Sequence, residues 1–245
     1  MRKSDIAELL VEVEGIIETL EYQRTMANVK LDILEVSKPK VKSCLEHLRS
    51  CLEYAAHDVY DKVYKDNDGK TNEQRERMKI YFPYGKNLGD FHSNLGRSFK
   101  DLKTKNKEIY ELILSIQSFN SRTSWLYDIC NITNKIKHVE QRKQDRVSMR
   151  TVNMSNAFNL NFTKGSNTNI FISGNIINGV KQNSDVIIDR GQVRNNILVD
   201  RGLLEVVDWT DFVFKNSKIK VLELIRSSLE NIKAFSHEMY IILDC

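Results

Sequence analysis

The amino-acid sequence predicts a mainly helical α+β protein: an up-and-down helical bundle, a small antiparallel β section and a long C-terminal helix. Three observations carry this. Apolar residues recur with a period of 3.6 through most of residues 1–147, residues 157–163 alternate strictly between apolar and polar, and residues 216–245 return to helical spacing. The organisation that follows is a bundle over 1–147, a β section over 148–215, and a helix over 216–245 that packs on the bundle or on a partner.

Ile6, Leu9, Leu10, Val13, Ile16, Ile17 and Leu20 form one stripe of a helix running from Asp5 to about Leu34. Ser37 and Pro39 mark a stop and a restart, because proline is tolerated in a first helical turn. The second helix runs to about Lys65 on the stripe Leu45, Leu48, Leu52, Ala55, Ala56, Val59 and Val63. Lys65–Asn72 is a polar loop, and Ile80–Gly85 reads as irregular. Helical spacing resumes through Phe91, Leu95, Phe99 and Leu102, and again through Ile109, Tyr110, Leu112, Ile113 and Ile116. A last bundle helix is expected from Ser124 to Arg146, on Trp125, Ile129, Ile132, Ile136 and Val139.

Phe158, Leu160 and Phe162 against Asn159 and Asn161 predict a half-buried strand. Val186-Ile-Ile-Asp-Arg-Gly191 is echoed by Ile197-Leu-Val-Asp-Arg-Gly202. Each reads as a strand closed by a hairpin turn; the alternative is that Arg190 and Arg201 pair as an anion site at one sheet end. Leu222, Ile225, Leu229, Ile232, Met239 and Leu243 make a narrow helical seam for the bundle or for a dimer, with Asn216 or Ser217 as N-cap.

With 41% hydrophobic and 29% charged residues among 245, the chain is neither disordered, nor fibrous, nor a disulfide scaffold. A net charge of +4 permits RNA contact but falls short of a dedicated nucleic-acid coat. Cys44, Cys51, Cys130 and Cys245 form no C-x-x-C pair, so no metal site and no cofactor are expected. Free thiols, an N-terminus without an apolar leader, and no long apolar run predict a cytoplasmic protein without membrane contact. The richness in Asn, Lys and Ile fits an AT-rich bacterial or phage genome.

The informative segment is Trp125–His138 with its continuation. On a helix, Asn131, Lys135, His138 and Arg142 stand at i, i+4, i+7 and i+11, one polar stripe about 120° from the apolar one. Neighbouring cations, Lys137 among them, keep a histidine neutral near pH 7, and a neutral imidazole can take a proton from a ribose 2′-hydroxyl. The plain alternative is a solvated helix face. Glu53 and His57 form an i, i+4 pair, or half of a metal site with no visible second half. Tyr81, Phe82 and Tyr84, beside Arg75, Arg77 and Lys86, either stack on bases or anchor a loop.

Four elements carry a family resemblance: Ile80-Tyr-Phe-Pro83, Glu108-Ile-Tyr110, Ser115-Ile-Gln-Ser-Phe-Asn120, and Leu126 through Asn131-x-x-Asn-Lys-x-Lys-His138. Together they resemble a set of bacterial proteins similar to the HEPN superfamily of helical bundles. Asp208-Trp-Thr-Asp-Phe-x-Phe214, followed by an amphipathic helix, resembles the tail of the same proteins. The resemblance implies a homodimer with an Arg-x4-6-His ribonuclease motif. His138 matches the histidine, but Asn131 stands seven residues before it where the motif has arginine. That departure implies a degraded site, in a module that binds RNA or a protein partner within a bacterial or phage system. Two alternatives stay open: an active metal-independent ribonuclease, as a toxin or phage-defence effector, and a structural protein dimerising through its C-terminal helix.

Overall fold

Helix α2 (Lys38–Val63) buries residues around about half of its girth, Arg49 and Asp58 among them, because other helices cover it on several sides. In the computed structural model, residues 1–65, 69–138, 143–154, 158–164, 167, 169–174, 176–177, 180–181, 185–189, 192–194 and 204–244 are described. They make an α+β, mainly helical chain that divides into two units. The first comprises residues 1–21, 37–143 and 221–245; the second comprises 22–36 and 144–220.

The first unit holds most of α1 (Lys3–Ala27), then α2, α3 (Asn72–Glu76), α4 (Leu88–Ser98), α5 (Leu102–Lys105), α6 (Lys107–Ser115), α7 (Trp125–His138) and α8 (Val221–Ile242). Local chemistry fixes several starts. Thr71 and Gln74 form a reciprocal capping box, Asn87 accepts from the Asp90 N–H at 2.9 Å, and Asn106 accepts from the Ile109 N–H at 3.0 Å. α2 packs on α7 and α8, and α8 also packs on α6 and α7. Ile225 and Leu229, in the C-terminal seam, are buried within this unit, so the seam is filled by the chain itself. Glu14 and Glu21 of α1 pair with Lys233 and Arg226 of α8 along its rim. Among the described residues, no helix is long and apolar enough to cross a membrane.

The second unit is built on an antiparallel sheet ordered β2 (Phe158–Thr163), β1 (Gln144–Met154), β8 (Leu204–Phe214). A second sheet orders β3 (Ile170–Ile172), β6 (Val186–Asp189) and β7 (Gln192–Val193), and β4 (Ile176–Ile177) pairs with β5 (Val180–Lys181). Val152 stands opposite Leu160 on one side and Val206 on the other. Val152, Phe162, Val186 and Ile188 form the core, flanked by Leu160, Ile170, Ile172 and Val206. The expected strand at 158–163 is therefore present, with Leu160 and Phe162 on its inner side. β6 and β7 pair antiparallel, with Asp189 opposite Gln192. Arg190 and Gly191 of the first Asp-Arg-Gly, and the second echo with Arg201, lie outside the described residues.

Four boundaries differ from the expected ones. α1 ends at Ala27 instead of Leu34, and Leu31 and Leu34 remain exposed. The carbonyls of Ala27, Lys30, Leu31 and Ile33 turn to the Arg146 guanidinium, at 2.6–3.3 Å, instead of continuing a helical ladder. α7 ends at His138, and residues 144–146 belong to a strand. Glu140–Arg146 contains no apolar residue for a helix to bury, and Gln144 exchanges two 3.2 Å bonds with the Val36 backbone. β8 had no strand signal, because Phe212, Val213 and Phe214 break the alternation. The last helix starts at Val221, so neither Asn216 nor Ser217 caps it. Asn216 takes a φ of 60°, and Ser217 Oγ donates to the Phe214 carbonyl at 2.7 Å, closing a turn.

Asp208 on β8 accepts from Arg150 Nε at 2.6 Å and Nη2 at 2.8 Å, and from Lys164 Nζ at 2.7 Å. The Arg150 fork, helped by Lys164, lowers the Asp208 carboxyl to about 2. Because the folded value lies below the unfolded one, the stabilisation is present above pH ~4 and is lost as pH falls through about 2. The carboxylate is 40% exposed, so solvent screening keeps the pair to about 1 kcal/mol or less. Asp208→Asn is expected to lose that much at pH 7 and to flatten the stability profile between pH ~4 and ~2. Urea titrations across this range check it; parallel profiles for the two proteins would exclude the linkage.

Candidate functional site

The segments around Tyr84 and Ser118 both bond to α7: Asn134 Nδ2 donates to the Tyr84 hydroxyl and the Tyr127 N–H donates to Ser118 Oγ. The inner face of α7 is broad: Trp125, Leu126, Ile129, Cys130, Ile132 and Thr133 are all buried. The Thr133 hydroxyl bonds back to the Ile129 carbonyl at 2.7 Å, which satisfies it inside the bundle. Asn131 is half-buried beside this face and Asn134 is exposed.

The segment 80–85 lies against this helix and is held from several sides. The Phe82 N–H donates to Glu53 Oε2 at 2.7 Å, and its buried ring meets Phe235 edge-on at 5.4 Å. Phe82 thus anchors the segment instead of offering a face to a base. Gln117, fully buried, donates to the carbonyls of Pro83 at 3.2 Å and Ile113 at 3.0 Å, and accepts from the Gly85 N–H at 3.1 Å. Gly85 is required by close approach: a Cβ there would stand 2.4 Å from the Phe91 nitrogen. Asn94 closes the clamp, donating to the Tyr84 carbonyl at 2.8 Å.

Tyr84 is thereby aimed at α7. Its hydroxyl accepts from Asn134 Nδ2 at 2.9 Å, its ring meets Tyr127 edge-on at 6.4 Å, and the Arg49 guanidinium lies 5.2 Å from its centroid. Burial raises the Tyr84 phenol above its ordinary range. Arg49 is itself buried, paired with Glu53 and in contact with Cys130 Sγ on α7. Burial pushes the Cys130 thiol up to about 12, and Cys44 and Cys51 likewise, so these sulfurs stay protonated and inert.

The Glu53 carboxylate is taken by Arg49 and the Phe82 N–H; burial, followed by nearby Arg2, depresses the His57 imidazole. Among the described residues, no three His, Cys, Asp or Glu side chains gather as a metal site. Asn131, Lys135, Lys137 and His138 share the α7 backbone, as the spacing implied. The side chains of Lys135, Lys137 and His138, and all of Arg142, Arg190 and Arg201, lie outside the described residues. Sequence reasoning missed Arg49, Gln117 and Asn134 as parts of this arrangement. Comparison with protein families, curated proteins and solved structures gives no match.

Proposed function

We propose that the chain is a HEPN-like RNA-binding module of a bacterial or phage system, with a degraded ribonuclease motif. One observation supports this reading: three of the five elements quoted for the resemblance, those around residues 80–85 and 115–120 and on helix α7, meet around the Tyr84–Asn134 bond. A shared binding surface gives a reason for three short elements, distant in sequence, to be built together. Asn131 and Asn134 can donate to phosphate oxygens and base edges, and Lys135, Lys137 and His138 follow them on the same helix. An amide at position 131 cannot supply the fixed charge with which a guanidinium stabilises a pentacoordinate phosphorus. Arg49 is the guanidinium that contacts α7 through Cys130, and it is buried and paired with Glu53.

The test is filter retention of single-stranded RNA across a salt series, alongside cleavage in EDTA. The expected result is retention that weakens with salt and no cleavage. Lys135→Ala and Lys137→Ala should each reduce the slope of log affinity against log salt by about 0.7. Cleavage by the wild type that His138→Ala abolishes would replace this reading with the active ribonuclease. Absence of retention at low salt would refute RNA binding and direct the search to a protein partner.

A further inference from the structure

The second unit carries a cleft of about 290 Å³ lined by Arg24, Thr25, Asn28, Trp209 and Thr210. Trp209 is half-buried, and its Nε1–H donates to Thr151 Oγ1 at 2.9 Å, which fixes the plane of the indole. The Arg24 guanidinium and the Lys220 ammonium each lie 5.6 Å from the ring centroid. Lys220 is shared with the buried Asp211 carboxylate, 3.9 Å away. Asn28 accepts the outward Thr210 N–H of β8 on its Oδ1 at 2.6 Å, which leaves its NH2 group as a donor at the cleft. The lining holds one cation, one amide, two hydroxyls and an indole, and no carboxylate.

We infer that this cleft takes one nucleotide of a single-stranded RNA, its base on the Trp209 indole and its phosphate on Arg24. Each component fits a separate part of such a ligand. A pre-oriented indole gives a stacking platform at little cost in side-chain freedom, and every base has a π-face to place on it. Arg24 offers a planar fork to a phosphate. The Asn28 amide and the Thr25 hydroxyl are short polar groups suited to a base edge or a 2′-hydroxyl. A phosphate alone would need the cation but not the indole, and an apolar ligand would need neither cation nor amide. The inference rests on the RNA-binding reading above but assigns a second contact point, remote in sequence from α7.

The experiment uses the full chain with Trp125, which is buried, changed to phenylalanine, so that Trp209 is the sole tryptophan. A single-stranded A/U dodecamer and its duplex are titrated, with tryptophan emission and filter retention read on the same samples. The expected result is saturable quenching by the single strand at the concentration that gives retention, and little by the duplex. Trp209→Leu should weaken retention about tenfold, and Trp209→Phe should keep most of it. Arg24→Gln, on a partly exposed helical position, should weaken it without altering the circular dichroism, which keeps the test decisive if Trp209→Leu misfolds. Retention with unchanged emission and unchanged affinity in Arg24→Gln and Trp209→Leu overturns the cleft while leaving RNA binding intact. Equal quenching by the duplex overturns the single-strand assignment. No retention of either RNA overturns the RNA-binding reading and the cleft together.

Discussion

Asp58→Ala is expected to lower the free energy of unfolding by about 3–5 kcal/mol. The carboxylate is fully buried, yet it sits among three donors from two other parts of the chain. It accepts from the Arg2 backbone N–H at 2.7 Å, from Arg2 Nη1 at 2.9 Å, and from the Tyr240 hydroxyl at 2.7 Å. One side chain of α2 therefore ties the start of α1 to the end of α8. Truncation removes the acceptor and leaves donors facing a cavity, which is the costly half of the asymmetry in buried polar groups. Arg2 retains Asp61 at 2.9 Å, a half-exposed partner, so part of its charge stays compensated. Asp58→Asn, which keeps the volume and one carbonyl acceptor, should cost less than Asp58→Ala. Tyr240→Phe should cost about 1 kcal/mol, and the double variant should cost less than the sum. Urea midpoints at pH 7 with unchanged slope measure all four proteins. A loss under 1 kcal/mol for Asp58→Ala would show that water or a shifted backbone replaces the tie.

What was legible in the sequence is the part of the structure that repeats locally. Val13 and Leu20 on α1, Leu45, Leu48 and Leu52 on α2, and Ile225 and Met239 on α8 are buried as their spacing required. A helical stripe shows itself within two turns, so one sequence suffices. The polar residues that join the helices give no such signal. Arg49 lies between Leu45 and Leu52, four and three residues away, within the apolar stripe of α2. Its position could have flagged it as buried, but its partner Cys130 is 81 residues distant. Asp58 and Tyr240 are separated by 182 residues, and Gln117 and Gly85 by 32. Strand β8 was missed for a different reason. β8 is buried on both faces near Phe212 and Phe214, so period-2 alternation disappears where burial is greatest. The site was legible to the extent of its helix: α7 and its polar positions could be read, whereas the Tyr84–Asn134 bond spans 50 residues.

Gln117→Ala is expected to destabilise by about 3 kcal/mol and to loosen the candidate site at the same time. Its carboxamide makes three buried hydrogen bonds, two of them to the backbone of Pro83 and Gly85. Those backbone groups have no helix or sheet to fall back on, because the segment 80–85 is irregular. Truncation therefore orphans an N–H and two carbonyls and leaves a cavity. Gln117→Met keeps the volume and removes only the bonds, so the difference between the two variants separates cavity from polar loss. Tyr84→Phe is the complementary change. It deletes the bond to exposed Asn134 but leaves the clamp, and should cost 1 kcal/mol or less, at about the value of one exposed hydrogen bond. If the surface around Tyr84 binds RNA, Tyr84→Phe should weaken retention with little change in stability, whereas Gln117→Met should reduce both. If retention follows stability alone across the three variants, the clamp is a folding device and the binding surface lies elsewhere. If Gln117→Met matches the wild type in urea, the three bonds are replaceable and the aim of Tyr84 does not depend on them.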